Sequence, residues 1–187
     1  MSEAPEYRVA MCRVTLKRLR EDPRAPEILE RVDPAAIAAI EGGRSLTWIS
    51  TRPLDQVADV MFEVMGHEDF RDFFARQITS WNDSKLFRPL SQAAAHIFGR
   101  DPTGHLKWLG RGMQITSRNM GQIVTAETPE GVRIAYTEIP PSHRIERMAV
   151  SMEGSIRGIV QAIGQTPRVA VDQSRRGQGT LTYDVTW

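Results

Sequence analysis

The chain predicts an α+β fold: an N-terminal helical half packed on a mainly antiparallel sheet in the C-terminal half. Three observations carry this. Apolar positions recur at three and four through the first hundred or so residues, they alternate in twos after Gly112, and one long amphipathic stretch interrupts that alternation. The order is helices first, then βββαββ. The hairpin connections are too short for crossovers, so the sheet is antiparallel and the helical half covers one of its faces.

Residues 8–20 read as the first helix, although Val9, Met11 and the β-branched residues after them keep a strand open. Asp33-Pro34 and Asp101-Pro102 each set a capping oxygen before a proline at the first helical position, so each opens a short helix. Helices follow at Leu54 to Met65, with the stripe Val57, Val60, Met61, Val64 and Met65, and at Phe70 to Trp81 and Leu86 to Phe98. Gly66 and Gly99 close periodic segments. Strands are expected at Met113 to Asn119, Gln122 to Glu127 and Val132 to Ile139. Pro140-Pro141 stops the sheet, and a helix runs from Ser142 to Ile163, ended by Gly164. Arg168 to Asp172 and Thr180 to Trp187 are the last strands. No linker or repeat divides the chain, which predicts a single α+β domain over 1–187, its helical part about 8–109 and its sheet with the long helix about 112–187.

Composition narrows the function. With 41% hydrophobic and 25% charged residues, and 24 basic against 23 acidic side chains, the chain is neither collagen-like, low-complexity nor strongly disordered. Near-zero net charge and 7% aromatics argue against nucleic-acid binding. Cys12 is the single cysteine, so no internal disulfide is expected; the first residues lack a secretory pattern, and the expected location is cytoplasmic. No apolar run reaches the roughly 18 residues of a membrane span, so no transmembrane segment is expected.

Candidate chemistry is sparse. His67, Glu68, Asp69 and Asp72 form the densest group of metal-type or acid/base side chains, but acidic residues just after Gly66 suit the first turn of a helix, and no His-Glu-x-x-His or paired-cysteine motif exists. No metal is expected. Ser142 to Arg147 opens the long helix, with His143 expected solvated or facing an anion. No serine sits in a Gly-x-Ser-x-Gly elbow, and no nucleophile, base and orienting group come together; a non-enzyme with no catalytic residue is expected. Cys12 reads as a small packed side chain. Gly154 and Gly158 lie one turn apart on the long helix, a spacing for close backbone packing.

Met61, Met65, Phe62, Phe70, Phe73, Phe74, Phe87, Phe98, Met148 and Met152 concentrate on helices expected to face one another. Such side chains fill cores, and they also line adaptable apolar pockets. The candidate pocket is Met61, Met65, Phe73, Phe74, His96, Met148 and Met152.

Several pieces together resemble a known family: Asp101-Pro102 through Trp108, Gly112-Met113, Arg118-Asn119-Met120-Gly121, Ile139-Pro140-Pro141, Glu153 to Gly158 and the closing Tyr183 to Trp187. They look like a myxobacterial paralogous family of domains of unknown function. That family is similar in element order to the heme nitric oxide/oxygen-binding (H-NOX), vinyl-reductase-like and TRAPP domains, which hold a heme, an acyl chain or another apolar ligand between helices and sheet. The resemblance implies an H-NOX/TRAPP-like architecture. Where heme-binding members carry Tyr-x-Ser-x-Arg, this chain reads Tyr136-Thr137-Glu138-Ile139-Pro140, so only the tyrosine matches. The resemblance makes His105 the axial ligand and Tyr136 an anchor if heme is present, and the missing serine and arginine disfavour heme.

The function expected is a non-catalytic cytoplasmic sensor or regulatory domain that binds a small apolar ligand and signals to a protein partner. The alternative is a structural adaptor or homodimerising interaction module with no small ligand. Its contacts would be edge strands after Gly179 and the Gly154/Gly158 helix face.

Overall fold

Strands from the helical half and helices from the strand half interleave more than the element order suggests. The computed structural model describes residues 4–79 and 88–187, apart from the side chains of Leu90 and Ser91. The chain runs β1 (Glu6–Arg8), α1 (Val9–Arg20), α2 (Ala25–Arg31), α3 (Pro34–Gly42), β2 (Trp48–Ser50) and α4 (Arg52–Thr79). It continues through α5 (Arg88–Phe98), α6 (Pro102–Lys107), α7 (Leu109–Thr116), β3 (Ser117–Arg118), β4 (Gln122–Thr128) and β5 (Gly131–Thr137). Then come α8 (Glu146–Ala162), β6 (Arg168–Asp172) and β7 (Leu181–Thr186). The α+β class is the one the sequence predicts. The expected helix ends at Trp81 and Leu86, and Phe87, lie outside the described residues.

α1 is a helix because Val9, Cys12, Leu16 and Leu19 recur at three and four and are all buried, while Lys17, Arg18 and Arg20 complement the negative end of its dipole. The two Asp-Pro starts cap as expected: Asp33 accepts from the Ala35 N–H, and Asp101 from those of Thr103 and Gly104. The two helices expected on either side of Gly66 join into α4, whose arms meet at a kink where Gly66 takes φ 70°, ψ 178°. Only glycine reaches that conformation at little cost.

The strand expected at Met113 to Asn119 is instead mostly helix α7, followed by the two residues of β3. Met113 and Ile115 alternate like a strand, but Leu109, Gly112, Met113 and Thr116 share a helical face at i, i+3, i+4 and i+7, and that face is the one with a surface to cover. β3 joins β1 and β2 in a three-stranded sheet of order β2-β1-β3, in which Tyr7 pairs with Ile49 and with Ser117. β1 and β2 have three residues each, too few for an alternation to register in sequence.

The second sheet has the order β4-β5-β7-β6 and is antiparallel throughout. Its inner face carries the buried Val132, Ile134, Tyr136, Leu181, Tyr183 and Val185, and across its outer face Arg133 makes a bidentate pair with Asp184. β7 is central, not an edge, so the strand after Gly179 is no contact surface for an adaptor.

α8 begins at Glu146 rather than Ser142, because Pro141 to His143 form a 3₁₀ turn. It lies against the sheet through Ala149, whose carbonyl accepts from the Tyr183 hydroxyl at 3.3 Å. The Gly154/Gly158 face is covered: a Cβ on Gly154 would strike the Arg71 carbonyl, and one on Gly158 the Ala75 carbonyl, both in the second arm of α4.

Two substitutions separate these constraints. Gly66→Ala meets no neighbour and suffers only the backbone strain, about 1–2 kcal/mol. Gly154→Ala must push two backbones apart, about 2–3 kcal/mol or more. Urea unfolding is expected to rank Gly154→Ala as the more destabilised.

Candidate functional site

A cavity of about 530 Å³ lies between α8, both arms of α4 and the helices α1, α5, α6 and α7. That is within the usual range for small-molecule sites. α8 supplies one long wall, a stripe from Arg147 through Met148, Ser151, Met152, Ser155 and Ile159 to Ile163. At 1.5 Å per residue this stripe is about 24 Å long. The first arm of α4 contributes Leu54, Asp55 and Ala58, the second Phe74, Gln77 and Ile78. α7 contributes Leu109, Gly112, Met113 and Thr116, α1 Met11 and Thr15, and α5 Arg88, Gln92, Ala94 and Ala95.

Of the seven residues expected to line a pocket, Phe74, Met148 and Met152 are in this wall. Met61, Met65 and Phe73 are not: they are buried in the continuous hydrophobic core away from the cavity, so their apolar periodicity reflects core packing. His96 is exposed and outside the wall, which α5 forms with the smaller Ala94 and Ala95. His105 does line the cavity, with Nε2 3.1 Å from the Gly99 carbonyl. A carbonyl only accepts, so Nε2 carries the proton in that bond. Tyr136 lies outside the wall, fully buried beneath the sheet, its hydroxyl donating to the Met120 carbonyl.

The strongest polar feature was missed at the sequence level. Arg147, 7% exposed, reaches from α8 to the first arm of α4: its Nε donates to Asp59 at 2.6 Å and its Nη2 to Asp55 at 3.3 Å. His143 stands on the other side of Asp55, Nε2 to Oδ2 3.2 Å, with Tyr7 edge-on to its ring at 6.4 Å. His143 is thus buried, not solvated, because the 3₁₀ turn tucks it under α4. Arg144 faces no anion either; it donates to the carbonyls of Ile139 and Gly177. The available signals were an arginine inside the apolar pattern of α8 and two aspartates four apart on α4.

Asp55 and Arg147 both line the cavity. Burial pushes the Asp55 carboxyl up, but His143, Thr51 and Arg147 outweigh it and hold the group below the ordinary aspartate range. Burial, with Asp55 adding to it, pushes the Tyr7 phenol well up, so it stays a neutral hydroxyl. Burial raises the Cys12 thiol to about 12, which makes it unreactive.

The His67 group disperses into ion pairs: Asp69 with Arg24, Asp72 with Arg71 at 3.3 Å, and His67 with Glu146 at 3.5 Å. No set of three or more ligand-type side chains is placed to hold a metal among the described residues. None of the described helices is long and apolar enough to cross a membrane.

A depressed carboxyl stabilises the fold above the ordinary aspartate value, near about 3.9, and that contribution is lost as pH falls through the lower folded value. Asp55→Asn is expected to lower stability at pH 7 by about 2 kcal/mol, less than a fully buried pair loses, since Asp59 still holds Arg147. Its deficit against the wild type shrinks below pH 4 or so. Denaturant unfolding from pH 7 to 3 checks both the size and the sign.

No family model matches the chain, and no curated protein matches it. Solved structures do. It is similar to a point mutant of the Fe(II) unliganded H-NOX protein from K. algicida, with a TM-score of 0.65 and 9% identity, covering 96% of this chain and 95% of that one. A mutant H-NOX from T. tengcongensis gives 0.63 at 12% identity over 96% of each chain. An oxygen-binding H-NOX domain related to soluble guanylate cyclases gives 0.56 at 11% identity, covering 95% of this chain and 92% of that one. Identities this low carry the architecture and nothing finer, and on that ground the chain has the H-NOX fold.

Proposed function

We propose that this chain is a non-catalytic sensor or regulatory domain that binds a small apolar ligand in the cavity along α8 and passes its occupancy to a protein partner. The observation that carries the reading is the wall itself: Met11, Met113, Met120, Met148 and Met152 all line it, five of the chain's eight methionines. Flexible thioethers on several helices adapt to a ligand's shape, whereas a filled core favours side chains with fixed rotamers.

H-NOX neighbours include an Fe(II) protein and a study of heme redox potential, which raises heme here. The residues do not fit it. His105 has committed Nε2 to a carbonyl, and Tyr136 is sealed away from the cavity. The strand end offers Glu138, which accepts from Gln122, and Pro140, where two propionates need donors and positive charge. The ligand read here is therefore organic and apolar.

Catalysis finds no support at the cavity. Ser142, His143 and Asp55 stand in line at 3.0 and 3.2 Å, but only Asp55 lines the cavity, so the Ser142 hydroxyl is not presented to a ligand held there.

Native mass spectrometry of the purified protein, beside the same sample denatured, tests the reading. A stoichiometric mass is expected to be released on denaturation. Met152→Trp should abolish it while costing under about 1 kcal/mol of stability, because the indole enters open space; in a filled core the same change costs about 1–3 kcal/mol. No released mass, together with the larger cost, would overturn the ligand-binding reading.

A further inference from the structure

The Ser and Thr hydroxyls of the cavity are committed in one direction. Five Ser and Thr hydroxyls line it beside the Tyr7 phenol, and each of the five donates its proton to a backbone carbonyl three or four residues before it. Thr15 donates to Met11 at 3.3 Å and already accepts from Gln77 Nε2 at 3.0 Å, while Ser151 donates to Met148 at 3.0 Å and Ser155 to Ser151 at 2.9 Å. Thr116 donates to Gly112 and Met113 at 3.1 Å each, and Ser117 to Met113 at 2.9 Å. A hydroxyl whose proton is so used has only lone pairs left to offer. Asp55 adds a carboxylate that can only accept.

The wall's donors are fewer and weaker claimants. Arg147 is the one cation from α8, and Asp59 and Asp55 already take its Nε and Nη2. Trp108 brings a single indole N–H, and Tyr7 a phenol that both donates and accepts. Arg88 and Gln92 are exposed residues.

We infer that the cavity selects apolar molecules that carry a hydrogen-bond donor, an alcohol or an amine, over ketones, ethers and carboxylates of the same size. This rests on the ligand-binding reading above and adds the chemistry of the ligand's polar end. A buried ketone oxygen would face lone pairs and lose its water without replacement, and a carboxylate would in addition meet Asp55. An alcohol donates to one of the hydroxyl oxygens, and an ammonium also pairs with Asp55. The lowered pKa of Asp55, set by His143, Thr51 and Arg147 against burial, keeps that charge in place at neutral pH.

Calorimetric titration of the full chain with decanol, decylamine, methyl nonyl ketone and decanoate tests this, since the four share one apolar tail. Decanol and decylamine are expected to bind about fivefold or more tighter than the ketone, the worth of one extra hydrogen bond, and tighter than decanoate. The double variant Ser151→Ala/Ser155→Ala removes two acceptors and should narrow decanol's advantage while leaving ketone affinity unchanged. Equal binding of alcohol and ketone, or preference for the carboxylate, overturns the donor selectivity and leaves the apolar cavity standing. Failure of all four to bind overturns both.

Discussion

α8 is held to α4 at two places by opposite means. At Gly154 and Gly158 the absence of side chains lets the backbone of the second α4 arm approach directly, and at Arg147 a long charged side chain spans to Asp55 and Asp59 on the first arm. Both arms are thereby fixed to one rigid helix, with Gly66 supplying the bend between them. α8 then turns its neighbouring stripe, from Met148 to Ile163, towards the cavity and its Ala149 face towards the sheet. Three surfaces of one helix position the helical half, the sheet and the cavity at once.

The ionic contact is not explained by stability. A buried pair of this kind roughly balances its desolvation cost, and well-packed apolar residues of similar volume would hold the helices equally well. What the ion cluster does provide is a buried charged end to the wall. Asp55 faces both the cavity and His143, and His143 in turn touches Tyr7 of β1. Two groups whose ionisation the fold displaces, Asp55 and Tyr7, line the cavity at this end.

Periodicity made the long elements legible. α1, both arms of α4, α8 and the hairpin of β4 and β5 each bury one face over several repeats, so their pattern survives in sequence. Short pieces did not survive: β1 and β2 are three residues each, and α7 has two glycines and a two-residue alternation that imitates a strand. The cavity was half legible for a related reason. A methionine or phenylalanine at helical spacing marks an inward face, but whether that face meets packed atoms or open space depends on which helix lies opposite. Met61 and Met152 are indistinguishable by spacing and both belong to the core, yet only Met152 also borders the cavity. The Arg147 cluster joins residues 55, 59, 143 and 147, and no local pattern couples positions so far apart.

A sensor needs more than a cavity: its ligand must bind two arrangements of the protein with different affinity. The cavity wall bears on that requirement because it is shared by both arms of α4, at Leu54 to Ala58 and again at Phe74 to Ile78, while the kink between them is outside it. A ligand lying along α8, as proposed, would therefore contact two arms joined at one glycine. Interior packing is bistable rather than continuously deformable, so a change in the angle at Gly66 would have to be absorbed at the two attachments to α8. The glycine contact has no side chain to adjust. The Arg147 contact does, since it has two aspartates one turn apart and can shift weight between them. If the cavity takes a ligand as proposed, the first arm, attached through the Arg147 side chain, would adjust before the second, attached backbone to backbone.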